Sequence, residues 1–333
     1  MDRRSSKIFS KIIGIGSYMP EFRLTNSRLE ELVDTSDEWI VKRTGIRERR
    51  IAMGKATWEM GLAAAQAALA DAGLPGEDLD LILVSTVTPD SLTPAVSCVL
   101  QDKLGASHAA ALDLNAACSG FVYASDVADS YIRAGKAKHV LVVSTERLSG
   151  ITDYTDRSTC VLFGDGAGAV VYTASEEPCG ILSTYMRAEG SLGQSLFAGA
   201  LPSEPDPLTG DRTIPSNYRF LKMAGSDVFR FTATAVPESI DNALSRAGLE
   251  AGDIDWFVLH QANLRILKMV TDRYGLDPEK VYVNIDRFGN TSSASIPLCL
   301  AEMKEKGLLK PGQTIVASGF GGGLTYGAIV IKL

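Results

Sequence analysis

Several patterns that mark common protein classes are missing from this sequence of 333 residues. Its five cysteines form no Cys-x-x-Cys pair, so neither a disulfide framework nor a zinc site is indicated. Only three histidines occur (His108, His139 and His260), which leaves few ways to build a mechanism that needs two of them. No apolar run approaches the length of a membrane span, and no signal-peptide segment follows the charged N-terminus.

Basic residues are fewer than acidic residues, 33 against 40. The formal net charge is −7, and an acidic chain is a poor partner for nucleic acid or for an anionic membrane. Hydrophobic residues make up 45% of the chain, enough for one large core or for two packed halves. We therefore expect a reduced, cytoplasmic protein of enzyme size that neither binds nucleic acid nor inserts into a membrane.

The segment around Cys118 is the first candidate for a functional site. An apolar run from Leu112 gives way to small residues, and a helical pattern starts just after the cysteine and ends at Gly135. Backbone N–H groups and the dipole at a helix N-terminus favour a thiolate there. A buried structural cysteine is the alternative, and this segment alone favours neither interpretation.

Other segments predict the framework. Residues 80–86 and 139–145 read as strands buried on both faces. The glycines of residues 164–168 precede a strand rather than a helix, so they do not fit the dinucleotide-binding fingerprint, and we interpret them as a site of close backbone packing. Residues 176–218 are polar and rich in proline, which predicts a long cover loop.

Short motifs of the first half recur in the second. Ala72-Gly73-Leu74 returns as Ala247-Gly248-Leu249, a displacement of 175 (247 − 72), and Gly135 matches Gly307 at 172 (307 − 135). The pattern predicts a duplicated α/β unit with mostly parallel strands. Its halves are residues 1–180, which hold the cysteine, and residues 181–333.

The duplication predicts which side chains meet. Position 118 plus 172 is Asn290, among small residues at another strand-to-helix junction, and His260 follows the second-half strand that corresponds to residues 80–84. Because α/β sheets place their chemistry at the C-terminal ends of strands, we expect Cys118, His260 and Asn290 to share one site. A purely structural role is the alternative for a lone histidine.

These three residues suit thioester chemistry. Cysteine is a good nucleophile toward a thioester, and two neutral N–H donors can stabilise an enolate formed by loss of CO2 from a malonyl group. The carbanion can then attack an acyl group on Cys118. The glycine run 319–323 can supply a second oxyanion hole from its backbone, or it can simply be a tight turn before the last strand.

Seven motifs together resemble the β-ketoacyl-acyl-carrier-protein synthase III family of the thiolase superfamily, over essentially the whole chain. They are residues 34–40, 43–46, 117–121, 163–168, 260–265, 289–292 and 319–323. The resemblance implies a five-layered αβαβα thiolase-like fold and a homodimer. It implies initiation of type II fatty-acid synthesis by condensation of a short acyl-CoA primer with malonyl-acyl carrier protein, without a metal or cofactor.

The resemblance also implies residue roles. Cys118 would be the acylated nucleophile, His260 and Asn290 the decarboxylation site, and the N–H groups of Cys118 and Gly322 the oxyanion hole. The residues implied for CoA are Thr35, Trp39, Arg43, Arg157, Gly225, Phe229 and Asn263. Those implied for carrier-protein docking are Gln261, Ala262, Asn263, Leu264 and Arg265, and those for the substrate pocket are Leu92, Phe163, Phe320 and Leu324.

Leu324, Tyr326 and Leu92 depart from the family pattern, and they leave the primer length open. A related Cys-His-Asn enzyme of polyketide or secondary metabolism is the alternative enzyme. A non-catalytic acyl-CoA or carrier-protein binding relative is the alternative from another class. Elongating synthases with two catalytic histidines do not fit, because His108 and His139 lie outside the motifs.

Overall fold

A computed structural model of the protein describes residues 8–199 and 220–333. In this part of the chain the strands are β1 (Phe9–Tyr18), β2 (Phe22–Thr25), β3 (Glu48–Ile51), β4 (Leu81–Ser85), β5 (Ala110–Leu114), β6 (His139–Arg147), β7 (Asp165–Ser175), β8 (Gly180–Ala188), β9 (Leu196–Phe197), β10 (Lys222–Met223), β11 (Trp256–Leu259), β12 (Thr314–Gly321) and β13 (Thr325–Lys332). The helices are α1 (Asn26–Glu30), α2 (Asp37–Thr44), α3 (Thr57–Ala72), α4 (Val96–Lys103), α5 (Gly120–Arg133), α6 (Arg157–Cys160), α7 (Gly225–Ala247), α8 (Leu264–Tyr274), α9 (Ile285–Phe288) and α10 (Ser295–Glu305).

Two sheets share one topology. The first has the order β1-β7-β6-β4-β5, with β6, β4 and β5 parallel and with β7 antiparallel to both of its neighbours. The second has the order β8-β13-β12-β11, with one parallel pair, β12-β11, and two antiparallel pairs. A parallel bridge from Phe257 to Val281 stands where the first sheet has β5.

Three apolar cores lie between these two sheets and the helices that pack on them. The central core joins α5 and α10 to residues of both sheets, for example Phe121, Val142 and Ile329. One outer core lies between α3, α4 and the first sheet, and the other lies between α7, α8 and the second. The layers therefore run helix, sheet, helix, sheet, helix, and the predicted αβαβα arrangement is confirmed.

Local sequence explains this packing. All of β4 is buried, as expected for an apolar strand with helices on both faces. The alanine-rich α3 ends at Gly73, whose φ of 61° suits a helix C-cap. A Cβ at Gly16 would lie 2.3 Å from the backbone N of Ala68, so only glycine lets α3 approach β1 this closely.

Two predictions about the framework need correction. The predicted cover loop 176–218 contains β8, an edge strand of the second sheet, and its residues 200–218 lie outside the described part of the chain. The glycines of residues 164–168 lie mostly inside β7, where a Cβ at Gly168 would lie 2.8 Å from Pro297 Cβ.

None of the helices within residues 8–199 and 220–333 combines the length and the apolar character that a membrane crossing requires.

Candidate active site

Cys118, His260 and Asn290 line one cavity of about 870 Å³. Cys118 lies in the 3-10 turn Ala117–Ser119 that leads into α5. His260 directly follows β11, and Asn290 precedes the 3-10 turn Ser292–Ala294 that leads into α10. The structure thus brings together three residues that are far apart in the sequence.

Strand β12 approaches the cysteine turn so closely that its end must be glycine. A Cβ at Gly321 would lie 2.6 Å from Cys118 N, and a Cβ at Gly319 would lie 2.9 Å from Ser119 Cα. Real Cβ atoms essentially never show contacts below 3.0 Å. The glycine run therefore packs against the nucleophile turn as well as forming the turn into β13.

Thr325 fixes the position of that glycine run relative to Cys118. Its hydroxyl lies 2.8 Å from Ala116 O and 3.0 Å from Gly322 O, and it accepts a hydrogen bond from Ser119 Oγ at 2.8 Å. Gly322 lines the cavity beside this network. The predicted oxyanion-hole residues are thus held next to each other by hydrogen bonds.

The electrostatics of Cys118 differ from the expectation of a resting thiolate. Burial raises the pKa of its thiol to about 12, and the negative charge of Glu146 contributes to the rise. The helix N-terminus at α5 does not offset this loss of hydration. Cys118 is therefore a neutral thiol, and its proton has to leave during acylation.

His260 is buried and neutral. Burial lowers the pKa of its imidazole to about 3. Nδ1 lies 2.7 Å from Ser295 Oγ, which also accepts the N–H of Gln261 at 3.4 Å. We assign the Ser295 proton to the bond with Nδ1, because this tautomer satisfies both contacts and leaves Nε2–H as a donor. Phe320 packs against the ring at 5.2 Å.

The amide of Asn290 has a fixed orientation. Its Oδ1 accepts the N–H of Ser292 at 2.9 Å, so the amino group is the end left to face the cavity. Its backbone is held on both sides, since Asn290 N donates to Leu162 O and Gly164 N donates to Asn290 O, each at 2.9 Å. The cavity therefore contains one thiol and two neutral N–H donors.

Five of the seven residues predicted for CoA line the mouth of this cavity, and Arg157 stacks on one of them, Trp39. The guanidinium groups of Arg43 and Arg157 stack on the Trp39 ring, at 4.8 Å and 4.9 Å from its centroid. The cavity lining includes Trp39, Arg43, Gly225, Phe229 and Asn263. Thr35 does not line it, and the Thr35 hydroxyl has no hydrogen-bond partner within the described residues.

The carrier-docking prediction is wrong for Gln261. This side chain is 1% exposed, and it bonds Leu259 O, Tyr282 O and the N–H groups of residues 284 and 285. It braces the strand end beside His260 and cannot touch a partner protein. Leu264 and Arg265 are exposed, and Ala262, Asn263 and Arg265 border the cavity.

The predicted substrate-pocket residues divide into two pairs. Phe163 and Phe320 are buried and line the cavity. Leu324 is buried between two residues of the lining, Gly323 and Thr325, but is not itself part of that lining, so its role in the pocket stays a prediction. Leu92 is 72% exposed and does not reach the cavity of its own chain.

Comparison with known proteins identifies the family to which the sequence belongs. Profiles of the 3-oxoacyl-[acyl-carrier-protein (ACP)] synthase III family match residues 112–190 and, for the C-terminal part, 244–333. A curated β-ketoacyl-[acyl-carrier-protein] synthase III of Clostridium perfringens is 46% identical over 324 residues, which are 97% of this chain and 99% of that protein. The chain belongs to the 3-oxoacyl-[acyl-carrier-protein] synthase III family.

Solved structures agree with this assignment. The synthase III of Aquifex aeolicus is 45% identical with a TM-score of 0.90, covering 97% of this chain and 100% of that one. The priming β-ketosynthase of the R1128 polyketide pathway is 38% identical with a TM-score of 0.90, covering 98% and 96%. As a synthase III family member, the protein is a condensing acyltransferase of fatty-acid synthesis.

Sequence reasoning missed several residues that shape this synthase site. Ser295 holds His260, Thr325 holds the glycine run, and Glu146 lies buried behind Cys118. Only Glu146 had a usable signal, because an ionisable residue at the end of an apolar strand is unusual. The two hydroxyl residues resemble ordinary small residues until the fold brings their partners together.

Proposed function

We propose that Cys118, His260 and Asn290 carry out the condensation of a short acyl-CoA primer with malonyl-acyl carrier protein. The observation that supports this most is their convergence on one cavity as a thiol beside two neutral N–H donors. Such donors stabilise negative charge on an oxygen without transferring a proton to it. The family assignment supports the same chemistry.

The first step is acyl transfer. Sγ of Cys118 attacks the thioester carbonyl of the acyl-CoA, the C–S bond to CoA breaks, and the cysteine's proton ends on the CoA thiol. The backbone N–H groups of Cys118 and Gly322 are proposed to hold the oxyanion of this step. The stacked Trp39, Arg43 and Arg157 suit an adenine and its phosphates at the mouth.

The second step forms the new C–C bond. The malonyl thioester places its carbonyl oxygen between His260 Nε2–H and the Asn290 amino group, and CO2 leaves with its bonding electrons remaining on the α-carbon. This carbon attacks the acyl carbonyl on Cys118. The cysteine leaves as a thiolate and recovers a proton from water, which completes the cycle.

The test is a condensation assay with malonyl-acyl carrier protein and a panel of acyl-CoA primers. We expect 3-oxoacyl-acyl carrier protein from acetyl-CoA or short branched primers, with an acylated Cys118 visible by intact mass before the second substrate is added. Acylation of Cys118 without any condensed product would contradict the proposed extender. A protein that is never acylated would be a binding relative.

A priming role in polyketide synthesis is the second candidate. It is favoured by the similarity to the R1128 priming β-ketosynthase, which is as close in fold as the synthase III of Aquifex aeolicus. Carrier proteins of the two pathways distinguish the candidates, since the docking segment with Arg265 meets the carrier directly. Turnover with a polyketide carrier but not with a fatty-acid carrier would select this second function.

We also propose that the protein is a homodimer joined through β5. This strand ends the first sheet, and its only strand partner within the described residues is β4. Ala110 N and Leu114 O point toward β4, so the backbone groups of Ala111 and Asp113 point outward. An open edge of this kind is suited to pairing with the same strand of a second copy.

A further inference from the structure

The carboxylate of Glu146 is a buried group that the two-step mechanism does not use. It lies at the end of β6, is 0% exposed and does not line the cavity. No cation pairs with it among the described residues. Burying a carboxylate without a cation is costly unless several hydrogen bonds hold it, so its partners indicate its purpose.

Those partners come from both halves of the molecule. Oε2 accepts from Val87 N at 3.0 Å and from Thr88 Oγ1 at 2.9 Å, just after β4. Oε1 accepts from Ser293 Oγ at 2.8 Å, in the turn between Asn290 and α10. One carboxylate thus joins the end of the first sheet to the segment that presents Asn290.

The Asn290 segment needs such a restraint. Its first end is held by the backbone bonds of Asn290 to residues 162 and 164. Its other end contains Ser292, a non-glycine residue with φ of 51°, whose N–H orients the Asn290 amide. Ser293 follows directly, and its hydroxyl lies 2.8 Å from Glu146 Oε1 and 3.2 Å from Ser85 O, so the shorter bond to Glu146 is the main side-chain contact that fixes this end of the turn.

The segment directly after the cysteine turn also packs against Ser293. A Cβ at Gly120 would lie 3.3 Å from Ser293 Cβ, immediately after the Cys118 turn. Ser293 therefore packs against the start of α5, directly after the turn that holds the nucleophile. A shift of about 1 Å at a reacting group can reduce a rate about a hundredfold.

We propose that Glu146 is a positioning residue that acts through Ser293 to hold the Asn290 amide in register with Cys118 for decarboxylation. The inference rests on the proposed function. It assigns Glu146 no contact with substrate and no proton transfer. The role needs hydrogen-bonding capacity rather than negative charge, and it concerns the second step more than the first.

The experiment measures the two steps separately in the full-length protein. Acylation of Cys118 by acetyl-CoA is followed by intact mass, and decarboxylation by CO2 release from malonyl-acyl carrier protein. For Ser293→Ala, which keeps the Cβ against Gly120, we expect decarboxylation to fall about a hundredfold and acylation to stay within about threefold. The matched control is Ser125→Ala, which removes another buried hydroxyl, bonded to Tyr172, and should change neither step.

Two further variants test the role of Glu146. Glu146→Gln should retain most of the decarboxylation rate, because its amide oxygen can accept from Val87 and Thr88 while its amino group donates to Ser293. Glu146→Ala should lose as much as Ser293→Ala, and the double variant should be no worse than either, as in a coupled pair. Ser293→Ala carries the test alone if Glu146→Ala does not fold.

Several outcomes would overturn the inference. These are a Ser293→Ala protein with unchanged decarboxylation, an equal loss of both steps, multiplicative losses in the double variant, or a Glu146→Gln protein as impaired as Glu146→Ala. A wild-type protein that releases no CO2 would instead contradict the proposed function, and the two failures are therefore distinguishable.

Discussion

At the scale of single residues, the two steps of the reaction use different groups of one cavity. Sγ of Cys118 holds the primer, whereas the His260 and Asn290 donors serve the malonyl thioester. Cys118→Ala should therefore abolish formation of the 3-oxoacyl product, because the variant carries no acyl group that the carbanion could attack. Release of CO2 from malonyl-acyl carrier protein should persist. Product formation by this variant would refute Cys118 as the nucleophile.

The reverse separation is expected for Asn290→Ala. Loss of the amide removes one of two donors to the enolate, and loss of a single oxyanion donor typically costs about a hundredfold to a thousandfold in rate. Acylation should continue, because it uses the backbone N–H groups. The measurement is burst acylation against steady-state CO2 release, and Asn242→Ala in α7 is a control at an asparagine that does not line the cavity. Parallel loss of both steps would contradict the assignment.

The neutrality of His260 predicts a pH dependence of stability. Its pKa is about 3 in the folded protein, against 6.5 for an ordinary histidine. Below pH 6.5 the unfolded chain binds a proton at this residue that the folded one does not, so the free energy of unfolding falls as the pH is lowered. Urea titrations at pH 7 to 5 should show an extra slope approaching 1.4 kcal/mol per pH unit, relative to His260→Asn. Parallel curves for the two proteins would contradict a buried neutral imidazole.

At the scale of elements, the close approach of β12 to the cysteine turn should tolerate no side chain. Gly321→Ala places a methyl 2.6 Å from Cys118 N, and because the neighbour is backbone it cannot move aside easily. We expect about 1–3 kcal/mol of destabilisation and a clear loss of acylation rate. Gly252→Ala is the control, since a Cβ there meets nothing within 4 Å. Equal acylation rates would show that β12 does not set the geometry of the thiol.

Helices and strands were predictable from the sequence where a single local signal, such as an apolar run or a capping residue, determines the structure. The buried strands β4 and β6 follow directly from apolar runs, helix α2 from its N-cap Ser36, and helix α3 from its alanines and the glycine that ends it. Strand β8 was missed because only parts of its two faces are buried, so its pattern resembles a loop. The burial of Gln261 was missed because four partners, distant in sequence, satisfy an amide that is polar in isolation.

The repeat predicted the site but not its residue equivalences. The turns Ala117–Ser119 and Ser292–Ala294 correspond at a displacement of 175 (292 − 117), which pairs Cys118 with Ser293 and not with Asn290. The same displacement pairs Ser85 with His260. Asn290 reaches the cavity because it forms a parallel bridge with Phe163 just before the turn Ser292–Ala294. Short motifs that recur at two slightly different displacements could not reveal this pairing.

At the scale of the whole molecule, we propose that residues 1–180 and 181–333 are two copies of one ancestral unit. The support is the shared strand order of the two sheets, with α3 and α7 outside and α5 and α10 together in the central layer. The two central helices begin at the cavity, one after Cys118 and one after Asn290. The pseudo-symmetry brings the starts of α5 and α10 together at one cavity. Different residues in the two halves then give that cavity a nucleophile on one side and an N–H donor on the other.

The proposed dimer gives the last prediction. Proline at an edge strand is tolerated where the lost N–H points away from the neighbouring strand, and Ala111 is such a position in β5. Ala111→Pro should therefore preserve the fold of one chain and remove a hydrogen bond to the second copy. Sedimentation should give twice the 35.6 kDa chain mass for the wild type and a single chain for this variant.

Ala111→Val is the matched control for that substitution, because it adds side-chain bulk at the same position but keeps the N–H. It should remain a dimer. A folded Ala111→Pro protein that is still dimeric, judged by circular dichroism and sedimentation together, would show that the copies join elsewhere. A wild-type monomer at micromolar concentration would show that β5 is an edge the protein leaves open.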